Sequence, residues 1–280
     1  MLYFNRRIPV FALLIVALTA LACFCSEIDG LERFTSDYRQ TFDWVADKTL
    51  DIFETKGSVF IRAAKDENIH LDAMKTAFAR DLETARRESL DTRISVLAPA
   101  DRIKIAATPP PHLDGIITGR VDYDIKVPGR IPLKLETVSG GIDIDATDGP
   151  LSAKTVSGDI VVSDITGPID IETITGNVEL YDCPETLHVK THSGNINYDS
   201  DGITAPGMKL ESLGGNISVI LPKNSNVTYS IKTVSGKIDT SYAELETVEE
   251  SDREPKLKCG DGSIFISVTT VSGDITIETF

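Results

Sequence analysis

The chain has 280 residues, and its 43 Asp and Glu outnumber its 28 Lys and Arg, which gives a formal net charge of −15. This charge argues against nucleic acid as a partner and against electrostatic binding to anionic membranes, because both would repel the protein. A cationic partner or weak divalent-ion binding is compatible with the charge, although solubility alone explains it more simply.

The first 22 residues predict a lipoprotein-type signal peptide. Arg6 and Arg7 precede an apolar run over residues 8–22, which is short for a membrane-spanning helix because such a helix needs about 20 residues. Removal of this segment would change the net charge from −15 to −17, since it holds two basic residues and no acidic ones.

The residues around Cys23 predict a lipid anchor. The stretch Ala20-Leu21-Ala22-Cys23 resembles the bacterial lipobox, in which the Cys is acylated and becomes the new N-terminus. Ala20 stands where Leu is usual, so simple signal cleavage is the alternative. We therefore expect an exported, lipid-anchored protein of the cell envelope, on the outer membrane and facing either the periplasm or the cell surface.

The segment after the signal predicts a tether and then an N-terminal cap. Residues 23–48 are polar with few periodic apolar positions, as expected of a tether that holds the domain away from the membrane. Residues 49–120 read as a cap with degenerate coils, in which Leu50 and Ile52 alternate with polar neighbours and so predict a strand.

A short helix is predicted near residues 73–90, where it would cover an exposed sheet edge. Asp72 is the expected N-cap, and Glu83 and Arg87 form a supporting pair. The apolar residues at helical spacing are Met74, Phe78, Leu82 and Ala85.

Residues 121–280 repeat one short phrase, which consists of Thr or Ser, an apolar residue in most copies, a small residue and Gly. We predict that each phrase ends at the corner of a coil, and its first three intervals are 18 residues each. A period near 20 residues is typical of stacked coils. The predicted corner glycines are Gly140, Gly158, Gly176, Gly194, Gly215, Gly236 and Gly273.

Each repeat predicts two short strands that flank the corner. In Leu151–Gly167 the apolar residues alternate with polar ones before Gly158 and again after it. Aligned on the corners, the expected inward pairs before the Gly are Leu133/Leu135, Leu151/Ala153, Ile169/Ile171, Leu187/Val189, Met208/Leu210, Tyr229/Ile231 and Ile266/Val268. The expected pairs after the Gly are Ile142/Ile144, Ile160/Val162, Val178/Leu180, Ile196/Tyr198, Ile217/Val219 and Ile275/Ile277.

The sequence thus predicts an all-β fold, a single-stack parallel β-solenoid with coils of about 18–22 residues and one short N-terminal helix as an edge cap. A right-handed connection follows the usual rule for parallel strands. Coils of 18 residues also suit left-handed hexapeptide helices, so the handedness stays open.

An outward column of charges tests the register of the coils. The residue before each Thr or Ser alternates in sign along the repeats, as neighbouring strands would favour. The predicted charge ladder is Glu136, Lys154, Glu172, Lys190, Glu211 and Lys232.

An acidic insertion near residues 241–258 interrupts the period and predicts a solvated loop. The last coil, residues 262–280, follows it and is expected at the far end of the stack. That end has no obvious cap, so end-to-end self-association is one expectation and a cap formed by the acidic loop is another.

Several stretches together resemble a bacterial family of β-strand-repeat domains known as putative adhesins of unknown function. They are VDYDIKVP (121–128), the TVSGDI repeats, ISVILPKNSNVTYSIKTVSGKI (217–238) and CGDGSIFISVTTVSGDITIE (259–278). The resemblance covers about residues 45–280. It implies a β-solenoid, often behind a signal peptide or membrane anchor, and it brings no catalytic residues.

Candidate metal ligands have simpler explanations. Cys183 and Cys259 lie several coils apart and are read as separate thiols, because a disulfide needs Cα atoms within about 7 Å. His188 and His192 face outward about 13 Å apart at strand rise, too far for one metal ion. An Asx column after the corners is better explained by turn preference than by calcium: Asp159, Asn177, Asn195, Asn216 and Asp274.

We predict that the protein is not an enzyme and has no cofactor. A carbohydrate-active β-helix would need convergent carboxylates and aromatic platforms, but Trp44 is the only Trp and the outward carboxylates belong mostly to the ladder. The expected function is an adhesin-like interaction module or scaffold with an unknown protein or surface partner. The alternative is a periplasmic structural or polymerising protein.

Overall fold

The computed structural model describes residues 30–280, apart from 45–47, 112–115, 205–206, 242–244 and 253. The predicted signal peptide and Cys23 lie outside these residues. Across the described part the fold is all-β, with 23 strands in two sheets and one helix, α1 (Leu82–Asp91). In that same part, no helix has both the length and the apolar character of a membrane span.

Sheet I contains 11 strands. In spatial order they are β1 (Glu32–Asp43), β4 (Asn68–Ala79), β7 (Ile116–Val127), β3 (Val59–Ala63), β9 (Ile142–Asp145), β11 (Ile160–Ser163), β13 (Val178–Tyr181), β15 (Ile196–Asp199), β17 (Ile217–Leu221), β23 (Ile275–Thr279) and β19 (Ile238–Asp239).

Sheet II contains 12 strands. In spatial order they are β20 (Glu246–Glu249), β21 (Lys256–Lys258), β18 (Val227–Thr233), β22 (Ile264–Thr270), β16 (Met208–Ser212), β14 (Leu187–Ser193), β12 (Ile169–Thr175), β10 (Leu151–Ser157), β8 (Leu133–Ser139), β2 (Thr49–Lys56), β6 (Arg102–Thr108) and β5 (Arg93–Leu97).

Consecutive strands from β8 to β19 alternate between the two sheets, and we call each such pair with its turns a coil. Neighbouring coils pair in parallel, so Leu133 lies opposite Leu151, which lies opposite Ile169. This all-β arrangement with long parallel sheets agrees with the predicted solenoid class. Every predicted inward residue on both sides of the corners is buried, and these residues form one continuous core between the sheets.

The last coil does not lie at the end of the stack, so that prediction was wrong. Strand β22 lies between β16 and β18, and β23 lies between β17 and β19. Met208 and Tyr229 therefore both face Ile266. Each coil presents the same apolar pattern to its neighbours, so the pattern does not encode their order. The long connection before β22 lets the chain return and insert.

The N-terminal end shows the same kind of insertion. Strand β2 lies between β8 and β6, and β3 lies between β9 and β7. The predicted tether was also wrong over its second half, since β1 pairs antiparallel with β4 from Glu32 to Asp43. Phe34, Tyr38 and Phe42 are half-buried on one face of β1. These apolar residues are four positions apart, so the sequence lacks the strict alternation by which a strand is recognised.

The helix is shorter than predicted and begins later. Asp81, not Asp72, is the N-cap, and its carboxylate accepts a hydrogen bond from the backbone N–H of Thr84 at 2.8 Å. Met74 and Phe78 lie on strand β4. Their spacing of four residues fits a strand as well as a helix, which explains the error. The helix packs against β1 and β4, near the N-terminal end of sheet I.

The corner glycines form a column in which successive coils touch through their backbones. A Cβ on Gly176 would lie 2.0 Å from the carbonyl oxygen of Gly158, and one on Gly194 would lie 1.9 Å from that of Gly176. The same holds at Gly273, which sits on Gly215, and at Gly236, which sits on Gly273. No other amino acid leaves room for this approach.

In four coils the Thr or Ser of the phrase donates a hydrogen bond to a glycine carbonyl of the neighbouring coil. The Ser212 hydroxyl lies 3.0 Å from the carbonyl oxygen of Gly194, and the Thr270 hydroxyl lies 3.0 Å from that of Gly215. Both side chains are buried. A buried carbonyl without a partner is costly, so these hydroxyls make the tight corner compatible with burial.

Replacement of Gly176 by Ala should destabilise the protein by about 3 kcal/mol, because the added Cβ forces two backbones apart. The drop in Tm, measured by circular dichroism, should be roughly 2–4 °C per kcal/mol. Gly202 is the control, since a Cβ there meets nothing within 4 Å. Equal losses for Gly176→Ala and Gly202→Ala would contradict the column.

The hydroxyl network makes a second prediction. Thr270→Val keeps the shape but removes the donor to Gly215, so we expect a loss of about 1–2 kcal/mol in the free energy of unfolding. Thr173 occupies the equivalent position in another coil, is buried, and its hydroxyl has no hydrogen-bond partner. Thr173→Val should therefore be neutral or stabilising. Chemical denaturation of both variants checks the difference, and equal effects would refute it.

Candidate functional site

The corner phrase places a row of apolar side chains on the protein surface. The second residue of each phrase is exposed, and the apolar members have exposed fractions of 39–59%. We call this row the corner ridge. Along the stack its members are Val138, Val156, Ile174, His192, Leu213, Val271 and Val234.

The corner ridge was not predicted from the sequence, although the pattern that marks it is present there. The second residue of the repeated phrase is apolar in most copies. A strand end that faces solvent does not require an apolar residue at this position. Val156 and Ile174 are 45% and 51% exposed. Their β-branched shape suits a strand, yet burial does not explain six apolar residues in one exposed row. Such rows mark interaction surfaces.

An uncharged row borders the ridge on one side. The third residue of each phrase is exposed and is Ser or Thr in all coils except one, where it is Gly214. The members are Ser139, Ser157, Thr175, Ser193, Gly214, Ser272 and Ser235. On a protein with a net charge of −15, two adjacent rows without a formal charge form a surface that another acidic molecule could approach.

The predicted charge ladder lies on the other side of the ridge. Lys154 lies opposite both Glu136 and Glu172 across the parallel strands, and its ammonium group is 2.9 Å from the Glu172 carboxylate. Glu172 in turn faces Lys190, which faces Glu211. The hydrogen bond between Lys154 and Glu172 raises the pKa of Lys154 and lowers that of Glu172.

The last step of the ladder was predicted wrongly. Glu211 and Lys232 are not neighbours, because the inserted strand β22 places Thr269 between them. Lys232 instead forms an ion pair with Glu254 in the acidic segment. The alternation of sign therefore runs through five adjacent positions, Glu136 to Glu211, and then stops.

The Asx column forms hydrogen bonds along the stack. The side-chain oxygen of Asn177 accepts from the backbone N–H of Asn195 at 3.0 Å, and that of Asn195 accepts from Asn216 at 2.9 Å. Asp159 and Asp274 continue the pattern toward the two ends. These side-chain oxygens thus accept hydrogen bonds from backbone N–H groups of the next coil. Among the described residues, no three His, Cys, Asp or Glu side chains cluster as metal ligands.

The histidines and cysteines lie apart from one another. The imidazole of His188 forms a hydrogen bond with the carboxylate of Asp170 in the preceding coil at 3.1 Å. His192 is a member of the corner ridge. Cys183 and Cys259 are both buried and free. Burial raises the pKa of the Cys183 thiol to about 11, so this thiol is protonated at neutral pH.

The acidic insertion is a hairpin and not a loop, which corrects the prediction. Strand β21 extends sheet II beside β18, and β20 pairs with β21. Glu246 and Glu249 reach Lys258 and Lys256 at 2.9 and 2.7 Å. In the described part of the chain, sheet I ends at β19. An open cleft of about 580 Å³ lies between β19 and the four residues Ser251, Asp252, Pro255 and Leu257.

One buried carboxylate replaces the corner Thr at the N-terminal end. Glu54 faces Thr137 in the next coil and is 4% exposed. One of its oxygens accepts from the backbone N–H groups of Thr55 and Lys56, and the carboxylate faces the buried hydroxyl of Tyr123. Burial raises the pKa of Glu54, and the nearby charge of Asp122 adds to the rise.

This raised pKa predicts a pH dependence of stability. The folded protein holds the Glu54 proton more tightly than the unfolded chain, so stability is lost as pH rises from the unfolded pKa through the folded one. Glu54→Gln should therefore raise Tm at pH 8 and have little effect at pH 4. Asp81, whose pKa is lowered by its hydrogen bonds to Thr84, is the control, and Asp81→Asn should bring no gain at pH 8. A pH-independent effect of Glu54→Gln would contradict the assignment.

Comparison with known proteins gives one family match. Residues 168–278 match the family described as Toastrack DUF4097. No curated protein matches the chain. Two crystal structures are distantly similar. A putative cell adhesion protein from Clostridium sporogenes is 15% identical over 88% of this chain and 100% of its own, with a TM-score of 0.41. A putative adhesin from Bacteroides fragilis is 11% identical over 89% of this chain and 97% of its own, with a TM-score of 0.40.

The matched segment runs from strand β12 to β23, so it contains five of the seven residues of the corner ridge, the acidic hairpin and the inserted last coil. The family is of unknown function and assigns no activity to any residue. The resemblance that the repeats predict is confirmed over this segment, where residues 168–278 match the Toastrack DUF4097 family.

Proposed function

We propose that the protein is a non-enzymatic, lipid-anchored β-solenoid of the cell envelope that acts as an adhesin-like interaction module or scaffold. The observation that carries this proposal is the corner ridge, an exposed apolar row on an otherwise acidic surface. A second uncharged row lies beside it. Together they offer a straight contact line along the stack.

The proposal includes the finer architecture that the sequence predicts. The two sheets form a single stack with coils of about 18–22 residues, and the register of 18 residues between β8, β10, β12 and β14 supports this. A stack of this kind is held rigid by backbone contacts between coils. Rigidity keeps the ridge residues at a fixed spacing, which suits an extended binding surface.

Export and anchoring belong to the same proposal. The signal-like N-terminus and the lipobox-like stretch before Cys23 support acylation of that residue. The lipid would then hold the protein at a membrane, and the ridge would contact a protein or surface partner without catalysis. Nucleic acid is no partner in this account, and no cofactor is involved.

A periplasmic structural or polymerising protein is the alternative, and one observation favours it. Both sheets end in strands with a neighbour on one side only in the described structure, β19 and β20 at one end and β1 and β5 at the other. Such edges can pair with another chain. A carbohydrate-active enzyme is less favoured, because Glu172 and Glu211 on the ladder are engaged by Lys154 and Lys209.

Labelling of intact cells with a membrane-impermeant amine reagent tests the proposal. We expect the protein to be labelled in intact cells, since an interaction module must reach its partner outside the cell. Lysed cells supply the reference for full labelling. A Cys23→Ala variant is the control for the anchor and should leave the membrane fraction. Protection until lysis would overturn the surface proposal in favour of the periplasmic alternative.

A further inference from the structure

The partner of the corner ridge must match a regular surface. The ridge residues follow strand spacing of about 4.8 Å, so seven coils span roughly 29 Å. A second copy of this chain has the same spacing along the same kind of row. Its side chains therefore meet the ridge in equivalent positions over most of its length, and an unrelated surface has no reason to do so.

Charge decides how two copies can approach. Each copy carries a net charge of −15, so most faces repel each other. The ridge and the Ser/Thr row carry no formal charge. In a pair with a two-fold axis across the ridge, the two stacks run antiparallel, and each charge ladder faces the other ladder in reverse order. When the two-fold axis falls between two coils, each acidic residue of the alternating ladder faces a basic residue of the other copy's ladder.

Charge and overlap together select one register for such a pair. With the axis between the coils of Glu172 and Lys190, each Glu172 faces the other copy's Lys190 and each Lys154 faces its Glu211. With the axis moved to the coil of Lys190, that lysine faces itself and Glu172 faces Glu211, which is repulsive. An axis between the coils of Lys154 and Glu172 is also complementary in charge, but it overlaps only four coils of each copy. An axis between the coils of Lys190 and Glu211 overlaps six coils but sets Lys154 against Lys232. The first register overlaps six coils with no like charges opposed, so it is favoured.

We propose that two copies of this chain pair through the corner ridge, antiparallel, with the two-fold axis between the coils of Ile174 and His192. This rests on the proposed function and names its partner. Val156 then lies opposite Leu213 of the second copy, and Val138 lies opposite Val271. The N-terminal ends lie at opposite ends of the pair, so two lipid-anchored copies come from facing membranes. The contact is a homophilic adhesion.

The size of the ridge sets the strength of the contact. Stable interfaces bury about 800 Å² per partner, and a row roughly 29 Å long and one or two side chains wide buries less. The pair is therefore weak in dilute solution. Anchoring many copies in two facing membranes raises their effective concentration and allows many weak contacts to act together.

Cysteine cross-linking of the purified full chain tests the register. The double variant Val156→Cys/Leu213→Cys places a thiol opposite a thiol twice in each pair, so mild oxidation should yield roughly tenfold more covalent dimer than Val156→Cys alone. In the single variant the two thiols are about three coils apart, near 14 Å. The wild-type chain, whose Cys183 and Cys259 are buried, controls for the native cysteines.

The outcomes separate the inference from its alternatives. His192→Cys reports the competing register, in which this residue would face itself. Efficient dimer from His192→Cys with none from the double variant would overturn the proposed register. Absence of dimer from both, up to millimolar concentration, would overturn the self-pairing.

Vesicle clustering tests the functional consequence. Vesicles of phosphatidylcholine that carry the acylated chain should aggregate, and Val156→Asp/Leu213→Asp should abolish the aggregation. Phe265→Asp is the control, because Phe265 is 47% exposed and lies off the ridge. Aggregation that survives the ridge variant would overturn homophilic pairing. These assays use purified protein, so their failure is distinct from a failure of surface exposure in the cell-labelling experiment.

Discussion

The close approach of glycine backbones at one corner is the constraint on which the structure depends. The missing side chain lets the carbonyl of one coil sit where a Cβ of the next would be, as at Gly158 and Gly176. The Thr or Ser three residues before most of these glycines satisfies the carbonyl of the preceding coil. Together they hold one corner of every coil in register, and the apolar columns fill the space behind it.

The same register that stabilises the core also organises the surface. Once the corners align, every outward position becomes a row along the stack. The Asx side chains accept hydrogen bonds from the backbone of the next coil, and in the charge row Lys154 forms an ion pair with Glu172. The ridge row does neither, because Val156 and its equivalents are exposed and apolar. The rows with internal partners contribute to stability, and the row without them is free to contact another molecule.

Much of the fold could be predicted from the sequence because period, alternation and corner residues all agree. The buried columns on both sides of the corners were predicted residue by residue and are confirmed. The order of coils could not be predicted, because Ile266 fits between Met208 and Tyr229 as well as it fits at an end. The length of a connection, not the pattern of a coil, decides where the coil inserts.

The candidate site was less predictable than the fold. The charge ladder was recognised as a row, but its last step failed with the coil order. The ridge was overlooked because apolar residues in a strand repeat are usually assigned to the core, and only the exposure of positions such as Ile174 separates the two cases. Near the N-terminus, strand β1 carries large apolar residues at wide intervals. Because they do not alternate at every second position, the sequence did not predict this strand.

The most direct test of the account is methyl NMR of the full chain across a concentration series. If the corner ridge is the contact surface, the methyl signals of Val156, Ile174 and Leu213 shift progressively with concentration. The exposed methyls of Val248, which lie off the ridge, stay constant. Ridge signals that do not move up to millimolar concentration, or shifts confined to the strands at the two ends of the stack, would contradict it.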